Sequence, residues 1–273
     1  MTKINGKTFS QYAELLQSEQ SSYNGKKNDH ARRASVSGLR TNRIKRYFKT
    51  NAGLDLDAME KSPETAWEKA LTLAAFVAKN VPHDNQKEPL PRRNAITLWE
   101  YSRRVPTGFN CRWHAILLGE LLLAVGIKNC FVTCLPEDPN DGDCHVVNQI
   151  WLPETGKWAM LDSDMTEYAV DEHGTPLSLR EMREYVRARR DFAIRVLPGF
   201  EDSWVASEDG MAYMKCYWAK NLFWFARHTA IRYGLEGGFC PGDRYICLVP
   251  KGYHYNKQRF GGAEMSDADA FWC

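Results

Sequence analysis

A cysteine, a histidine and an aspartate occur in this sequence where each could take part in nucleophilic catalysis. Cys111 opens the apolar stretch "CRWHAILLGELLLAVGI", His145 opens "HVVNQIW", and Asp162 directly follows "KWAML". A thiolate nucleophile needs a base, and that base is often oriented by a third polar group. The three residues therefore form a candidate catalytic triad, provided that the fold brings them together.

Cys111 falls in the first turn of a predicted buried helix. From Trp113 to Val125, apolar residues occupy every face, which is typical of a helix surrounded by protein, and Gly126 can end it. A helix N-terminus stabilises an anion, and its free N–H groups can bind an oxyanion. We expect Cys111 to be a reactive thiol, although its position alone fits an ordinary buried cysteine equally well.

His145 and Asp162 are predicted to meet across a β-hairpin. The segments 145–151 and 157–161 read as strands joined through "LPETG". If the hairpin is centred near Glu154, residue 145 lies opposite residue 162 or 163, with Cβ atoms about 5 Å apart. That distance suits a hydrogen bond between an imidazole and a carboxylate.

These motifs resemble the core of the transglutaminase-like superfamily of Cys-His-Asp, papain-like thiol enzymes. The resemblance covers roughly residues 95–185. It implies an α+β fold with the cysteine-bearing helix packed on an antiparallel sheet. It also implies that Cys111 is the nucleophile, His145 the general base and acid, and Asp162 the residue that orients His145. In papain-like proteases the histidine follows the cysteine by about 130–150 residues. The separation of 34 residues here distinguishes this sequence from those proteases.

An oxyanion hole needs a second donor besides the Cys111 N–H group. Some members of the family use an upstream tryptophan, which makes Trp99 a candidate by location, with core packing as the alternative. The triad itself requires no organic cofactor and no metal. His114, three residues after Cys111, is expected to be a packing residue.

Two metal sites are considered and rejected. The spacing of Cys130, Cys134, Cys144 and His145 matches no zinc pattern. The loop "DPNDGD" (138–143) resembles a calcium loop, but its glycine is fifth and position twelve is a glutamine, which an EF-hand does not allow. We therefore expect no calcium dependence.

The remaining segments suggest three parts of one molecule. Residues 1–60 are predicted to hold a helix at 8–20 and a basic arm, residues 61–191 the catalytic core, and residues 192–273 an α/β extension that completes the domain. Within the core, helices are predicted from Ser62 to Pro82, over 94–103 and over 178–191. Strands are predicted at 130–135 and 245–250, while the aromatic-rich stretch 213–233 fits either a helix or a strand.

The basic arm (residues 24–49) carries nine Lys or Arg and one acidic residue, Asp29. We interpret it as partly flexible. It is either a solvated surface segment or a site for an anionic partner, including nucleic acid. The arm has no interleaved aromatic residues before Tyr47 and Phe48 at its end, so base stacking along it is not indicated.

Composition gives few further limits. The net charge is +2, and the eight cysteines include no CxxC pair. No apolar run of signal-peptide or membrane-spanning length is present, so we expect a soluble, cytoplasmic protein with reduced thiols and no membrane partner.

The expected function is thiol-dependent acyl transfer on a peptide, protein or small amide. Hydrolysis is the first hypothesis and transfer to an amine the second. A non-catalytic binding module, with or without a nucleic-acid-binding arm, is the alternative from another class.

Overall fold

The computed structural model describes most of the chain, with gaps. The described residues are 2–17, 33–34, 36–85, 92–105, 107–236, 243–254, 264–265 and 267–272.

The helices within these ranges are distributed along the whole sequence. In chain order they are α1 (Phe9–Leu15), α2 (Gly38–Ala52), α3 (Leu56–Lys61), α4 (Ala66–Asn80), α5 (Ala95–Arg104), α6 (Cys111–Ala124), α7 (Leu179–Arg187), α8 (Glu208–Asn221) and α9 (Ala268–Trp272).

The described strands form one six-stranded sheet and three two-stranded sheets. They are β1 (Lys3–Ile4), β2 (Lys7–Thr8), β3 (Arg33–Ala34), β4 (Asn129–Leu135), β5 (His145–Leu152), β6 (Lys157–Leu161), β7 (Glu167–Val170), β8 (Ala193–Val196), β9 (Trp224–His228), β10 (Ala230–Ile231), β11 (Tyr245–Leu248) and β12 (Glu264–Met265). The large sheet has the order β12-β11-β9-β4-β5-β6, and it is antiparallel except for the β11–β12 pair. The α+β prediction, with a helix packed on an antiparallel sheet, is confirmed.

Helix α6 lies at the centre of the molecule, as its apolar sequence predicts. It packs against β4 and β5 on one side and against α2, α4 and α5 on the other. Gly119 permits the close approach to the sheet, because an added Cβ would lie 3.0 Å from the Asn129 side chain and 3.1 Å from that of Asn148. Both asparagines donate to carbonyl groups of α6, which fixes the helix on the strands.

The start of α4 differs from the prediction. Thr65 rather than Ser62 caps the helix, in a capping box with Glu68, and Ser62 instead ends α3. A threonine followed three residues later by glutamate satisfies two backbone donors reciprocally, which the Ser62-Pro63-Glu64 sequence cannot do.

The basic arm is a helix over much of its length, which corrects the interpretation of a flexible segment there. Residues 38–49 belong to α2, and Ile44, Lys45 and Phe48 are buried against the core. The earlier part of the arm lies outside the described residues, except for positions 33–34 and 36–37. A face of three buried side chains at helical spacing binds α2 to the molecule despite its charge.

The ambiguous aromatic-rich stretch contains the end of one helix and two strands, β9 and β10. Residues up to Asn221 belong to α8, and β9 follows at once and lies between β4 and β11 in the large sheet. A strand from late in the chain thus occupies the middle of the sheet that carries His145. The proposed divisions at residues 60 and 191 stay predictions.

Within the described ranges, no helix combines the length and the apolar character needed to cross a membrane.

Candidate active site

Cys111 is the first residue of α6, and its thiol is part-exposed. Asn110 caps the helix, because its side chain accepts a hydrogen bond from the Trp113 N–H group at 3.1 Å. Among the described residues no acceptor contacts the N–H groups of Cys111 and Arg112. The start of α6 therefore presents a thiol together with free backbone donors, as an oxyanion site requires.

His145 begins β5 and is hydrogen-bonded to Asp162. The distance between His145 Nε2 and Asp162 Oδ2 is 2.5 Å, and both side chains are almost fully buried. A ring nitrogen of His145 lies within 4.8 Å of the Cys111 sulfur, and the Cys111 thiol donates to the Cys144 carbonyl at 3.9 Å. Since Nε2 is engaged by the carboxylate, Nδ1 is the nitrogen available to the sulfur.

His145 and Asp162 come into contact in a way that differs in detail from the predicted hairpin. Asn148 pairs with Leu161, so in this register residue 145 would fall opposite residue 164, not residue 162 or 163. Beyond Leu161 the chain leaves β5, and Asp162 instead pairs with Glu167 in a tight turn. The His145–Asp162 contact is therefore diagonal rather than directly cross-strand.

The turn after β6 holds the Asp162 carboxylate in place. Its Oδ1 accepts hydrogen bonds from the N–H groups of Asp164 and Met165 at 2.8 and 3.1 Å, which leaves Oδ2 for His145. A carboxylate fixed by backbone donors orients the imidazole that it contacts.

The protonation of His145 follows from these contacts. Burial alone would lower the pKa of His145, but the Asp162 carboxylate and the Cys111 sulfur raise it well above the usual range. The imidazolium form is thus favoured beside the sulfur, and an imidazolium stabilises a neighbouring thiolate.

A second carboxylate, Asp164, lies beside the same thiol. Its oxygens accept from His83 Nδ1 at 2.9 and 3.0 Å, and His114 Nε2 lies 3.5 Å from Oδ1. The hydrogen bond to Asp164 raises the pKa of His83, whereas burial lowers that of His114. His114 is 1% exposed, as expected for a packing residue, but its ring also contacts a carboxylate of the site.

A family comparison identifies this arrangement. A model of the transglutaminase-like superfamily matches residues 53–163, which include Cys111, His145 and Asp162. The chain carries a transglutaminase-like core. The resemblance seen in the sequence is thereby confirmed.

Solved structures and curated proteins add little. A proposed cysteine protease from Cytophaga hutchinsonii is 16% identical, with 45% of this chain and 37% of that chain covered and a TM-score of 0.31. LapG from Legionella pneumophila is 18% identical, with 57% and 71% covered and a TM-score of 0.31. The matched part thus spans little more than a third of the Cytophaga protein. No curated protein matches the sequence.

The transglutaminase-like core also contains a group that could hold a metal ion. Ligand atoms of Cys111, His145 and Asp164 all lie within 4.8 Å of one another. A thiolate, an imidazole and a carboxylate suit Zn²⁺, but a closed structural site needs a fourth protein ligand. Within the described part of the chain, the four residues first considered for zinc form no such group.

Trp99 has the surroundings of a core residue. It is 3% exposed, stacks on Phe76 and contacts Phe48, and the Arg103 guanidinium lies 4.6 Å from its ring. These contacts favour the packing role, and an oxyanion role for Trp99 stays a prediction.

The acidic loop 138–143 is bound by a lysine. Lys220 Nζ lies 3.0 Å from Asp141 Oδ2 and 2.5 Å from Asp143 Oδ2, and the lysine side chain is 3% exposed. Burial would raise the pKa of Asp141, but the Asp143 N–H group and Lys220 lower it. An internal ammonium group therefore supplies the positive charge that a cation would bring.

Several residues of the site escaped the sequence analysis. Tyr217 and Trp218 of α8 place ring edges 5.5 and 5.4 Å from His145, and the Trp218 indole donates to Glu167 at 2.6 Å. Burial, with the nearby Asp162 charge, raises the pKa of Glu167 well above its usual range. The only sequence signal was the doubled acid in "DSD", which places Asp164 two residues after Asp162.

Proposed function

We propose that this protein is a cysteine enzyme that hydrolyses a peptide or amide bond through an acyl-enzyme on Cys111. The proposal rests on one observation: His145 contacts Asp162 through Nε2, and a ring nitrogen of His145 lies within 4.8 Å of the Cys111 sulfur at the N-terminus of a buried helix. Peptides, proteins and small amides are the substrate class.

In the first half-reaction, the Cys111 sulfur attacks the carbonyl carbon and the C=O bond becomes an oxyanion. The free N–H groups at the start of α6 are placed to bind that oxygen. The oxyanion collapses, the C–N bond breaks, and the His145 imidazolium gives its proton to the leaving amine. The products are a thioester on Cys111 and a neutral imidazole.

In the second half-reaction, His145 takes a proton from water and the hydroxide attacks the thioester. The tetrahedral intermediate releases the acid and returns the thiolate to Cys111, with the imidazolium restored. Hydrolysis needs no second binding site, whereas an amine acceptor needs a site that also excludes water. His83, whose side chain is 38% exposed, connects the Asp164 carboxylate to solvent, which supports access by water.

The proposal is tested by incubating the protein with a peptide and amide library and recording new masses. Hydrolysis adds one water to the split products, and an acyl-enzyme adds the acyl mass to the tryptic peptide that contains Cys111. Cys111→Ala and His145→Ala should abolish turnover, while Asp162→Asn should retain a small fraction, because it keeps a polar side chain without the charge.

Cys130→Ala is the matched control, since Cys130 is a buried thiol on β4. It should keep full activity. Full activity in His145→Ala would refute the mechanism.

The acyl acceptor is tested with the same substrate and a small primary amine in excess. We expect free acid as the main product. If the amine adduct outweighs the acid at modest amine concentration, the enzyme is an acyltransferase of the transglutaminase type instead.

A further inference from the structure

A concave site lies between α2, α5 and residues 232–236. The pocket has a volume of about 490 Å³. Five arginines from three separate parts of the chain line it: Arg40, Arg43, Arg92, Arg93 and Arg232.

Most of these guanidinium groups form no ion pair with another residue that the structure describes. Arg43, Arg92 and Arg232 form no ion pair with any described residue, and Arg40 donates only to the Tyr233 carbonyl, at 3.0 Å. Arg93 pairs with Glu236 at 3.2 Å, but its buried Nε finds no acceptor among the described residues. The pocket thus offers several donors and charges without partners.

The carboxyl groups in the pocket wall offset little of this charge. Glu236 is shared with Arg112 at 2.9 Å and with His228 at 3.2 Å, besides Arg93. Glu120 is 5% exposed and accepts from two backbone N–H groups, and burial raises its pKa, so its ionised form is disfavoured. Only Glu100 remains as an exposed carboxylate in the lining.

We propose that this pocket binds a small molecule carrying two or more phosphate groups. Guanidinium groups form paired hydrogen bonds with phosphate oxygens, and they bind phosphate in preference to neutral ligands. The volume is in the range of small-molecule sites. Arginines that converge from three segments into one concavity suit a compact polyanion better than an extended chain.

The inference does not depend on the thiol chemistry, because none of the five arginines contacts Cys111, His145 or Asp162 through a contact described above. The Cys111→Ala protein should therefore bind the same ligand with the same affinity. This separates failure of the binding proposal from failure of the proposed activity.

The test is calorimetric titration of the full chain with inorganic tripolyphosphate at low salt. The triple variant Arg43→Gln, Arg92→Gln, Arg232→Gln should bind about 1000-fold more weakly or not at all, since each charge-assisted hydrogen bond contributes about tenfold or more. The matched triple variant Arg180→Gln, Arg189→Gln, Arg195→Gln loses the same charge outside the pocket and should bind as the wild type does.

If the pocket triple variant does not fold, Arg43→Glu replaces one exposed side chain and should still weaken binding at least tenfold. The proposal is overturned if the wild type does not bind tripolyphosphate, or if the two triple variants lose affinity equally. Tighter binding of a single-stranded oligonucleotide or an acidic peptide than of tripolyphosphate, lost in the same variants, would also overturn it in favour of a polymeric partner.

Discussion

At the candidate site, one imidazole lies between a carboxylate and a thiol. Of the described cysteines, Cys130, Cys134, Cys216 and Cys247 are buried, whereas Cys111 and Cys144 are part-exposed. Of these two, Cys111 has its sulfur within 4.8 Å of a ring nitrogen of His145. Burial also raises the pKa of the Cys134 and Cys216 thiols, which disfavours their thiolates.

Cys111 should therefore be the first thiol to react. Limiting iodoacetamide at near-neutral pH, followed by peptide mass mapping, should label Cys111 ahead of every other cysteine, and His145→Ala should remove that preference. Labelling of Cys216 or Cys247 first would contradict the assignment.

The charge of Asp162 should be visible in the titration of His145. Asp162→Asn should lower the pKa of His145 by about one unit or more, because an adjacent opposite charge stabilises the imidazolium by that amount. NMR titration of the imidazole measures this directly. The His145 proton would then be lost at lower pH, so the alkaline limit of activity should shift to lower pH as well.

Asp171→Asn is the control for that titration, since Asp171 is an exposed turn residue bonded to backbone N–H groups. It should leave the His145 pKa where it is. An unchanged pKa in Asp162→Asn would mean that the His145–Asp162 contact does not set the protonation state.

Calcium should affect neither stability nor activity. The carboxylates of Asp141 and Asp143 already contact the buried Lys220 ammonium, which Ca²⁺ would have to displace. Thermal melts with millimolar calcium and with EGTA should coincide. A melting temperature that rises by several degrees with calcium and falls with EGTA would show that the loop binds the ion.

Among individual residues of the site, the sequence predicts the position of those that depend on a local sequence pattern. Cys111 could be placed because the residues after it are apolar on every face, and His145 because it opens a strand. Asp164 and Lys220 could not be placed, since their partners are set by a turn geometry and by the packing of α8, which no local pattern encodes.

Among the elements, the segment that enters α6 is the most constrained. Gly108 lies against Pro82, and an added Cβ would come within 2.6 Å of the Pro82 carbonyl carbon. The same segment is held by hydrogen bonds from Phe109 N–H to Pro82 O and from Asp84 N–H to Phe109 O, at 2.9 and 2.7 Å. The end of α4 and the start of α6 are therefore joined through this contact.

Gly108→Ala should destabilise the protein by about 1–3 kcal/mol, as overpacking against backbone does. It should also slow alkylation of Cys111, because the start of α6 must move. Denaturant unfolding and the labelling rate measure the two effects. Gly142→Ala, where nothing lies within 4 Å of the added Cβ, is the control and should change neither.

The starts of α5, α6 and α7 follow their N-capping residues, Asn94, Asn110 and Ser178, which is why the sequence predicts these starts closely. The end of α7 is predicted less well, at residue 191 instead of Arg187. The start of α4 was missed because two capping signals lie three residues apart, and only the tertiary structure selects Thr65. The basic arm was misjudged because charge dominates its composition, while three buried side chains determine its structure.

On the scale of the whole molecule, the sheet depends on residues far beyond the matched core. Strand β9 pairs with β4 on one side and with β11 on the other. Helix α8 packs against α1 and brings two aromatic rings to His145. The segment 192–273 thus contributes directly to the sheet and to the site.

A chain that ends at residue 200 should therefore not fold cooperatively. It would leave β4 without β9, one of its two neighbours, and His145 without the α8 rings, and it would expose the apolar surface that they cover. Circular dichroism melts and limited proteolysis of this fragment, with the full chain as control, measure the effect. A sharp melt together with a selectively reactive Cys111 would show that the segment 192–273 is dispensable.

The place of β9 also bears on how fast the protein reaches its native state. Strand β4 pairs with the nearby β5, but its second partner, β9, lies about ninety residues further along the chain. Such distant pairings slow folding, because the loop must close before the contact is gained. During synthesis, Cys111, His145 and Asp162 emerge well before the strand that completes their sheet. We expect the Cys111 thiol to become reactive late, at the same time as β4 and β9 pair. The thiol of the nascent chain should therefore stay unreactive until its last strands have formed.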